Sequence, residues 1–288
     1  MVGFVILHYQ NIEVTKECIN YIKKLNDTSC VVIVDNCSLN KSGVTLKKEY
    51  EDQSNIHVIL NDRNSGFASG NNIGYLYAKK NLKCDTIIVM NSDVFIYDKD
   101  FLGKVAAMSR KYADDAIFAV DIISRYGGHQ NPFRLEPISS NRQHKIIARK
   151  RLGQIIYSIP LLNTFILSRK PKSSTAENVE KINSEKKMII PHGACLIYLP
   201  EWVKNEDICF LEGTFLFCEE EILFDYAKNK NYCIRYIPSI EVHHLEDASQ
   251  DEVNKTLVQK KKMQLRFEIQ SRKILLKYRN RWRNCSEN

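Results

Sequence analysis

The segment MVGFVILHYQNIEVTKECINYIKKLNDTSCVVIVDNCS (Met1–Ser38) reads as strand, helix, strand. VGFVIL and VVIV are apolar, mostly β-branched and uninterrupted, as in strands covered on both faces. Between them Val14, Cys18, Ile22 and Leu25 recur at spacings of 4, 4 and 3, a single helical stripe. Working outward, Ile56–Leu60, Ile87–Met90 and Ile117–Val120 repeat the strand pattern. Asn71–Lys80 and Lys99–Tyr112 repeat the helical one. This βαβ rhythm predicts an α/β fold with a mostly parallel central sheet flanked by helices.

Parallel sheets bind ligands beyond the carboxyl ends of their strands. His8-Tyr9-Gln10, Asp35-Asn36, Asn61 to Gly70 and Asn91-Ser92-Asp93 occupy those places, and all are polar. Residues 124–188 break the rhythm. They hold Tyr126-Gly127-Gly128, Arg149-Lys150-Arg151, the mostly apolar run Ile155–Leu167 and a basic stretch from Arg169 to Lys187, and read as an insertion, part helix and part loop. Regularity returns with Met188–Pro191, Ala194–Leu199, a helix near Glu219–Lys230 and the strand Tyr232–Ile237. The chain is expected to comprise a catalytic domain over residues 1–249 and a basic helical tail over 250–288. Within the first of these, 1–123 and 189–249 form two halves about a variable insertion at 124–188. If the chain acts on a nucleotide-activated substrate, the first half is expected to bind the nucleotide and the second to hold the acceptor and the catalytic groups.

At 288 residues and 44% apolar, the chain can bury a full core, and it has no repeat period or low-complexity tract. Nine cysteines, an odd number without CxxC spacing and several inside apolar runs, suggest reduced thiols. No stretch reaches the roughly 18 apolar residues of a membrane span. The enzyme is therefore expected in the cytoplasm, soluble or peripheral at the inner face of the membrane.

The net charge of +8 is unevenly spread: residues 255–283 hold eleven Lys/Arg and one acid, Glu268, leaving −2 for the rest. No zinc-finger or RNA-binding signature accompanies this tail, so the expected partner is an anionic membrane surface and not nucleic acid. As a helix the tail presents two apolar stripes, Val258, Leu265, Ile269 and Leu276 on one side, Met263, Phe267, Ile274 and Tyr278 on the other. One stripe covers the catalytic body. The second is expected to meet a membrane or, as the alternative, a second copy in a homodimer.

Several short strings carry chemistry. Asp35 in VDNCS ends a strand where a carboxylate can accept from a base N–H or a ribose hydroxyl, or form an Asx turn. In NDRNSGFASGNN (Asn61–Asn72), Gly66 and Gly70 permit close backbone approach and the asparagines offer amide donors. The loop leads into a helix N-terminus that favours an anion. Asp93, ending IIVMNSDV, has the form of a Mg²⁺ or Mn²⁺ ligand that also holds phosphate oxygens, or of a helix cap. Glu219, Glu220 and Glu221 open a helix between apolar flanks. They complement its dipole, and one of them, partly desolvated, can serve as a general base. In VHHLEDAS, alternation sends His243 and His244 to opposite sides, so one faces the site.

In this order the strings resemble glycosyltransferase family 2, with its GT-A fold, over residues 2–123 and 188–249, and in particular its rhamnosyltransferase-like branch from bacterial surface-polysaccharide pathways. The resemblance implies an inverting, metal-dependent transfer from a UDP- or dTDP-sugar to a hydroxyl of a glycan or lipid-linked glycan. Its Asp-x-Asp-type metal motif falls on Asn91-Ser92-Asp93, without the first carboxylate, and its metal-binding His on His244. Asp93 and His244 are thus the implied ligands of Mn²⁺ or Mg²⁺. Its catalytic acidic pair falls on Glu219-Glu220, with Glu220 as base, and Glu221 leaves the register open by one. Asp35 matches the residue that recognises the pyrimidine. His8, Tyr9, Asn64, Gly66, Phe67, Gly70, Asn71, Asn91 and Ser92 complete the expected donor side, and His192 and Gly193 line the sugar-acceptor cleft. A nucleotidyltransferase is the rival enzyme, but it calls for a Gly-rich basic loop after the first strand, where HYQN stands. A non-catalytic sugar-nucleotide sensor has no need of the acidic run and the histidine together. No GxGxxG follows Leu7, which disfavours an NAD-dependent oxidoreductase.

Overall fold

Strands β1 (Val2–His8) and β2 (Cys30–Asp35) pair in parallel, with Phe4 beside Val31 and Leu7 beside Val34. Successive side chains leave a strand on opposite faces. Phe4, Ile6, Val31 and Ile33 accordingly enter one apolar cluster, and Val5, Val32 and Val34 another. Helix α1 (Ile12–Lys23) covers the first face with Cys18, Ile19 and Ile22. The computed structural model describes residues 1–25, 29–159, 181–246 and 256–286. Most of the apolar run Ile155–Leu167 and of the basic stretch Arg169–Lys187 falls outside them, as does Lys255.

Helix α2 (Ser42–Glu49) follows β2 and precedes β3 (Ile56–Leu60). Helix α3 (Gly66–Lys80) then packs on the second face, with Gly74 so close that a Cβ there would lie 2.5 Å from Val5. Strand β4 (Thr86–Asn91) lies beside β1, and β5 (Val94–Phe95), α4 (Phe101–Lys111) and β6 (Ile117–Ser124) follow. The insertion contributes α5 (Ser140–Ile156). After β7 (Lys186–Lys187) and β8 (Cys195–Tyr198) come α6 (Pro200–Asn205), α7 (Glu219–Asn229), β9 (Ile234–His244) and α8 (Leu257–Ser286). The spatial order is β3-β2-β1-β4-β8-β6-β9-β5, with β7 on β9. Among the described strands, only β5, β7 and β8 run against the rest, so the central sheet is mostly parallel.

Three expectations shift. Helix α3 starts five residues ahead of Asn71, because Gly66 takes φ +80° and turns the chain directly into it. Met188–Pro191 is not a strand; only Ile190 forms an isolated bridge, to Arg134. Strand β9 runs through Pro238 to His244, because its register against β6 jumps from Val120–Ile237 to Asp121–Glu241. Pro238 sits in that bulge, where its missing N–H breaks no ladder bond.

The tail corrects a fourth. Leu265, Ile269 and Leu276 of α8 are buried, Ile269 and Leu276 in one cluster with Ile147 of α5 and Leu265 beside Gly153. The second stripe is also occupied within the chain. Phe267 stacks on Phe215 with ring centroids 4.6 Å apart, and Ile274 and Tyr278 join the cluster of Leu211, Ile222 and Leu275. An amphipathic pattern counts the faces that need partners but does not say where those partners come from. The second stripe therefore finds apolar partners within the chain, with Met263, Phe267, Ile274 and Tyr278 each left partly exposed. Arg279, beside that stripe, turns to Asp225 (2.6 Å) and to the Ile138 carbonyl (2.6 Å). Among the described residues, no helix is long and apolar enough to cross a membrane. Eight of the nine cysteines are described, and all eight are free.

Candidate active site

At the carboxyl ends of β1 and β4 opens a cleft of about 570 Å³. Tyr9, Asn64, Gly66, Phe67, Asn91, Ser92, Asp93, His192, Gly193, Glu219, Glu220 and His244, each expected in the site, all line it. His8, Asp35, Gly70 and Asn71 do not. His8 is fully buried, its ring nitrogens bonded to Thr15 Oγ1 (2.7 Å) and Ser42 Oγ (2.8 Å). Burial lowers its pKa to about 4, against the opposing pull of Asp35, so the ring is a neutral brace behind the wall. Asp35 accepts from the Ser38 amide (3.2 Å) and hydroxyl (2.5 Å), an Asx-type closure of its own loop. Gly70 gives α3 its close approach to Leu7, and Asn71 donates back to the Phe67 carbonyl.

Asn36, which the sequence reading passed over beside Asp35, organises the donor side. Its Oδ1 accepts from the Ser65 amide (3.0 Å), the Ser65 hydroxyl (3.1 Å) and Asn61 (3.3 Å). Its Nδ2 donates to Asn64 Oδ1 (3.0 Å) and the Gly66 carbonyl (3.2 Å). One buried amide thus fixes the loop that carries Asn64, Gly66 and Phe67. Asn72 does the same one turn on, donating to the Phe210 carbonyl (2.8 Å) and accepting from the amides of Cys209 (2.9 Å) and Phe210 (3.0 Å). It ties α3 to the loop that precedes α7.

Asp93 and His244 meet across the β5–β9 pairing, Asp93 Oδ1 3.4 Å from His244 Nε2. Both are nearly buried, at 7% and 8% exposure. Glu246 takes the side-chain amide N–H of Gln130, leaving Gln130 Oε1 to face His244 Nδ1 at 2.9 Å. A carbonyl oxygen can only accept, so Nδ1 carries the hydrogen and the lone pair of Nε2 points at a carboxylate oxygen. Two electron-pair donors this close need a cation between them, a proton or a metal. An imidazole nitrogen with a carboxylate oxygen fits Mn²⁺, and Mg²⁺ on the carboxylate side. Among the described residues no three His, Cys, Asp or Glu side chains group into a metal site. His243 points the other way and packs at a tilt against Tyr97, with ring centroids 4.6 Å apart.

The acidic run resolves by partner. Glu221 accepts from Arg134 (3.4 Å), the Ile138 amide (3.1 Å), Gln143 (3.0 Å) and Arg279 (3.2 Å). Its oxygens are committed to tying α7 to the insertion and the tail. Glu219 is buried with Oε1 unpaired, and burial, aided by the charge of Glu220, raises its pKa to about 8. Glu220 accepts from the Gly193 amide at 3.2 Å, and burial pushes its pKa up as well. The glycine lets the carboxylate sit this close, since a Cβ there would stand 2.6 Å from Glu220 Oε1. Phe217 and Cys218 precede the run at φ +76° and +68°, side chains held in a left-handed turn of the kind that clusters at active sites.

His192 completes the wall. Its amide donates to Asn131 Oδ1 (2.7 Å) and its Nδ1 accepts from the Ala194 amide (3.2 Å). Its ring lies 5.6 Å from that of His244 and 5.8 Å from that of Phe133. Burial, reinforced by His244 and opposed by Asp93, lowers its pKa to about 4, so it stays neutral. Phe133, Arg134, Phe215, Glu268 and Arg272 also line the cleft and were not expected. They lie in the insertion, an irregular loop and the tail, where no motif marks them.

The sequence profile of Glycosyl transferase family 2 matches residues 4–166. No curated protein sequence matches the chain. A fragment of TarS from S. aureus, residues 1–349 in complex with UDP-GlcNAc, is similar in structure at TM-score 0.53 and 16% identity, over 88% of this chain and 62% of that one. The chain thus spans about three fifths of the fragment's length. The mannosyltransferase PcManGT from Pyrobaculum calidifontis, in complex with GDP-Man and Mn²⁺, aligns at TM-score 0.52 and 8% identity, over 99% and 74%. GalNAc-T7 with UDP, GalNAc and Mn²⁺ aligns at 0.53 and 12%, over 85% and 44%. At such identities the likeness is one of fold, the GT-A fold of glycosyltransferases. More than half of the chain is matched by the family profile, and the chain belongs to glycosyl transferase family 2.

Proposed function

We propose that the chain transfers a sugar from a UDP- or dTDP-sugar to a hydroxyl of a glycan or lipid-linked glycan, with inversion, in bacterial polysaccharide biosynthesis, as a relative of the rhamnosyltransferase-like branch. The observation that carries this reading is that a desolvated carboxylate, Glu220, held by the Gly193 amide, lines the same cleft as the Asp93–His244 pair. Glu220 takes the proton of the acceptor hydroxyl as its oxygen bonds to the anomeric carbon from the face opposite the leaving group. The bond from that carbon to the diphosphate oxygen breaks, and its electron pair leaves with the nucleoside diphosphate. Asp93 and His244 would hold a divalent cation, which would supply positive charge against that departing group. The loop fixed by Asn36, with Tyr9, Asn91 and Ser92, orients the donor. His192 and Gly193 line the sugar and acceptor pocket. Base recognition by Asp35 requires Ser38 to give up its bonds to the carboxylate.

The test is a panel of UDP-, dTDP- and GDP-sugars with Mn²⁺, scored by nucleoside diphosphate release with and without chelator. Release from a UDP- or dTDP-sugar that stops with chelator supports the reading. Turnover with GDP-sugars alone, indifference to chelator, or retention of anomeric configuration in the product counts against it.

A cytoplasmic enzyme acting on a lipid-linked acceptor works at the membrane, and the surface suited to that contact is α5 and not the second stripe of α8. Leu152 (57% exposed), Ile155 (59%) and Ile159 (41%) lie open to solvent. Arg151, next to Leu152 in the chain, lines a groove with Lys273 and Lys277 of α8. Apolar side chains rimmed by cations suit an anionic bilayer. Binding to anionic vesicles that weakens with salt and with Leu152→Glu plus Ile155→Glu supports this. Flotation indifferent to both removes it.

A further inference from the structure

Four cations stand on or behind the wall of the cleft that carries Glu220. Arg134 has Glu221 at 3.4 Å, Lys150 is paired with Glu268, and Arg279 has Asp225 at 2.6 Å. Arg272, from α8, is different. Its Nη1 donates to the neutral amide oxygen of Gln143, and its Nε is buried without any acceptor. Among the described residues no carboxylate lies within ion-pair distance of it. Gln143 is itself held, donating through Nε2 to Glu221 at 3.0 Å, so the guanidinium is clamped from one side and lines the cleft with donor capacity unused.

A guanidinium left without a counter-charge is costly in a desolvated wall and is the group best suited to grip a planar or tetrahedral oxyanion. On the donor side, a cation on the Asp93–His244 pair would already meet a diphosphate. Arg272 lies on the side of α7: it reaches Gln143, which donates to Glu221 at the start of that helix, and it lines the cleft together with Cys218 and Glu220. The geometry points to an acceptor-side anion subsite at Arg272. The acceptor carries a phosphate or carboxylate next to its nucleophilic hydroxyl, and Arg272 positions that hydroxyl toward Glu220. This rests on the assignment of Glu220 as the base.

The experiment titrates the full chain, saturated with UDP and Mn²⁺, with glycerol 3-phosphate, lactate and glycerol, by calorimetry or ligand-observed NMR. UDP fills the diphosphate position, so an anion that still binds is elsewhere. The wild type is expected to bind at least one of the two anionic probes and not glycerol, and Arg272→Gln to weaken that binding about tenfold or more. Arg272→Lys, which keeps the charge and loses the fork, is expected in between and serves if the Gln variant fails to fold. A preference for glycerol 3-phosphate assigns a phosphate-bearing acceptor, and a preference for lactate a carboxylate-bearing one. Equal binding by wild type and the variants, no preference over glycerol, or loss of the anion when UDP is added overturns the subsite. If UDP does not bind the wild type, dTDP takes its place; failure of both refutes the UDP- or dTDP-sugar reading instead, and anion binding measured without nucleotide then decides the subsite on the same variants.

Discussion

Gly193→Ala isolates the proposed base from the fold. The three atoms nearest to a Cβ at Gly193 all belong to Glu220, at 2.6 Å from Oε1, 3.3 Å from Cδ and 3.4 Å from Cγ. Gly193 is absent from the positive-φ residues, so alanine brings no backbone strain there. The added methyl meets the far end of one side chain. To restore van der Waals distance the carboxylate must recede by roughly half an ångström or more, and its 3.2 Å bond from the Gly193 amide lengthens with it. A displacement approaching 1 Å at a reacting group costs up to about 10²-fold in rate, so kcat is expected to fall by about 10- to 100-fold. Stability is expected to change by no more than about 1 kcal/mol, the scale of one lost hydrogen bond. Steady-state turnover with the best donor of the panel, alongside a thermal melt, tests both. Wild-type kcat in a folded variant would mean that Glu220 is not the proton acceptor. A large loss of stability would mean that Gly193 supports the fold and not the carboxylate.

The other expectations can be taken together. Glu220→Gln keeps shape but cannot accept a proton; kcat should drop by about 10² or more while UDP affinity measured by calorimetry persists, and an active variant removes the assignment. Asp93→Ala should abolish metal-stimulated transfer with an unchanged melting temperature, and turnover near wild type in excess chelator refutes the metal role. Glu219, raised to about 8, holds its proton in the folded state and loses it unfolded above about 4.5, so the native state binds more protons across that window. Stability therefore falls as pH rises from about 4.5 to about 8, and Glu219→Gln should raise the melting temperature more at pH 8.5 than at pH 5. A pH-independent difference refutes that. Glu221→Ala should destabilise by about 3–5 kcal/mol, the cost of breaking a buried ion pair, and a melt within 0.5 kcal/mol of wild type rejects the anchoring role.

The central sheet was readable because Val2–Leu7 and Val31–Val34 are fully apolar, the pattern left by burial on two faces. The cleft's donor side was readable because it lies at strand ends, where topology puts ligands. The roles within EEE were not, because what separates Glu220 from Glu221 is supplied by Arg134, Gln143 and Arg279, more than 50 residues away. Asn36 was hidden by its neighbour: a carboxylate draws attention as chemistry, whereas a buried amide reveals itself only through the bonds it makes. The tail's stripes were correctly periodic and wrongly partnered, since Phe215 and Leu211 belong to an irregular loop with no pattern of its own.

Helices α5 and α8 lean on one another through Ile147, Ile269 and Leu276, and both reach the same carboxylate network, through Gln143 and Arg279 at Glu221 and through Arg272 at Gln143. The two segments lie more than 100 residues apart in the chain yet make one wall. A chimera that exchanges either alone, to redirect the enzyme to another acceptor, breaks charge pairs that the other half still expects. The natural unit of exchange is the two helices together, grafted as a matched set onto a sheet that need not change.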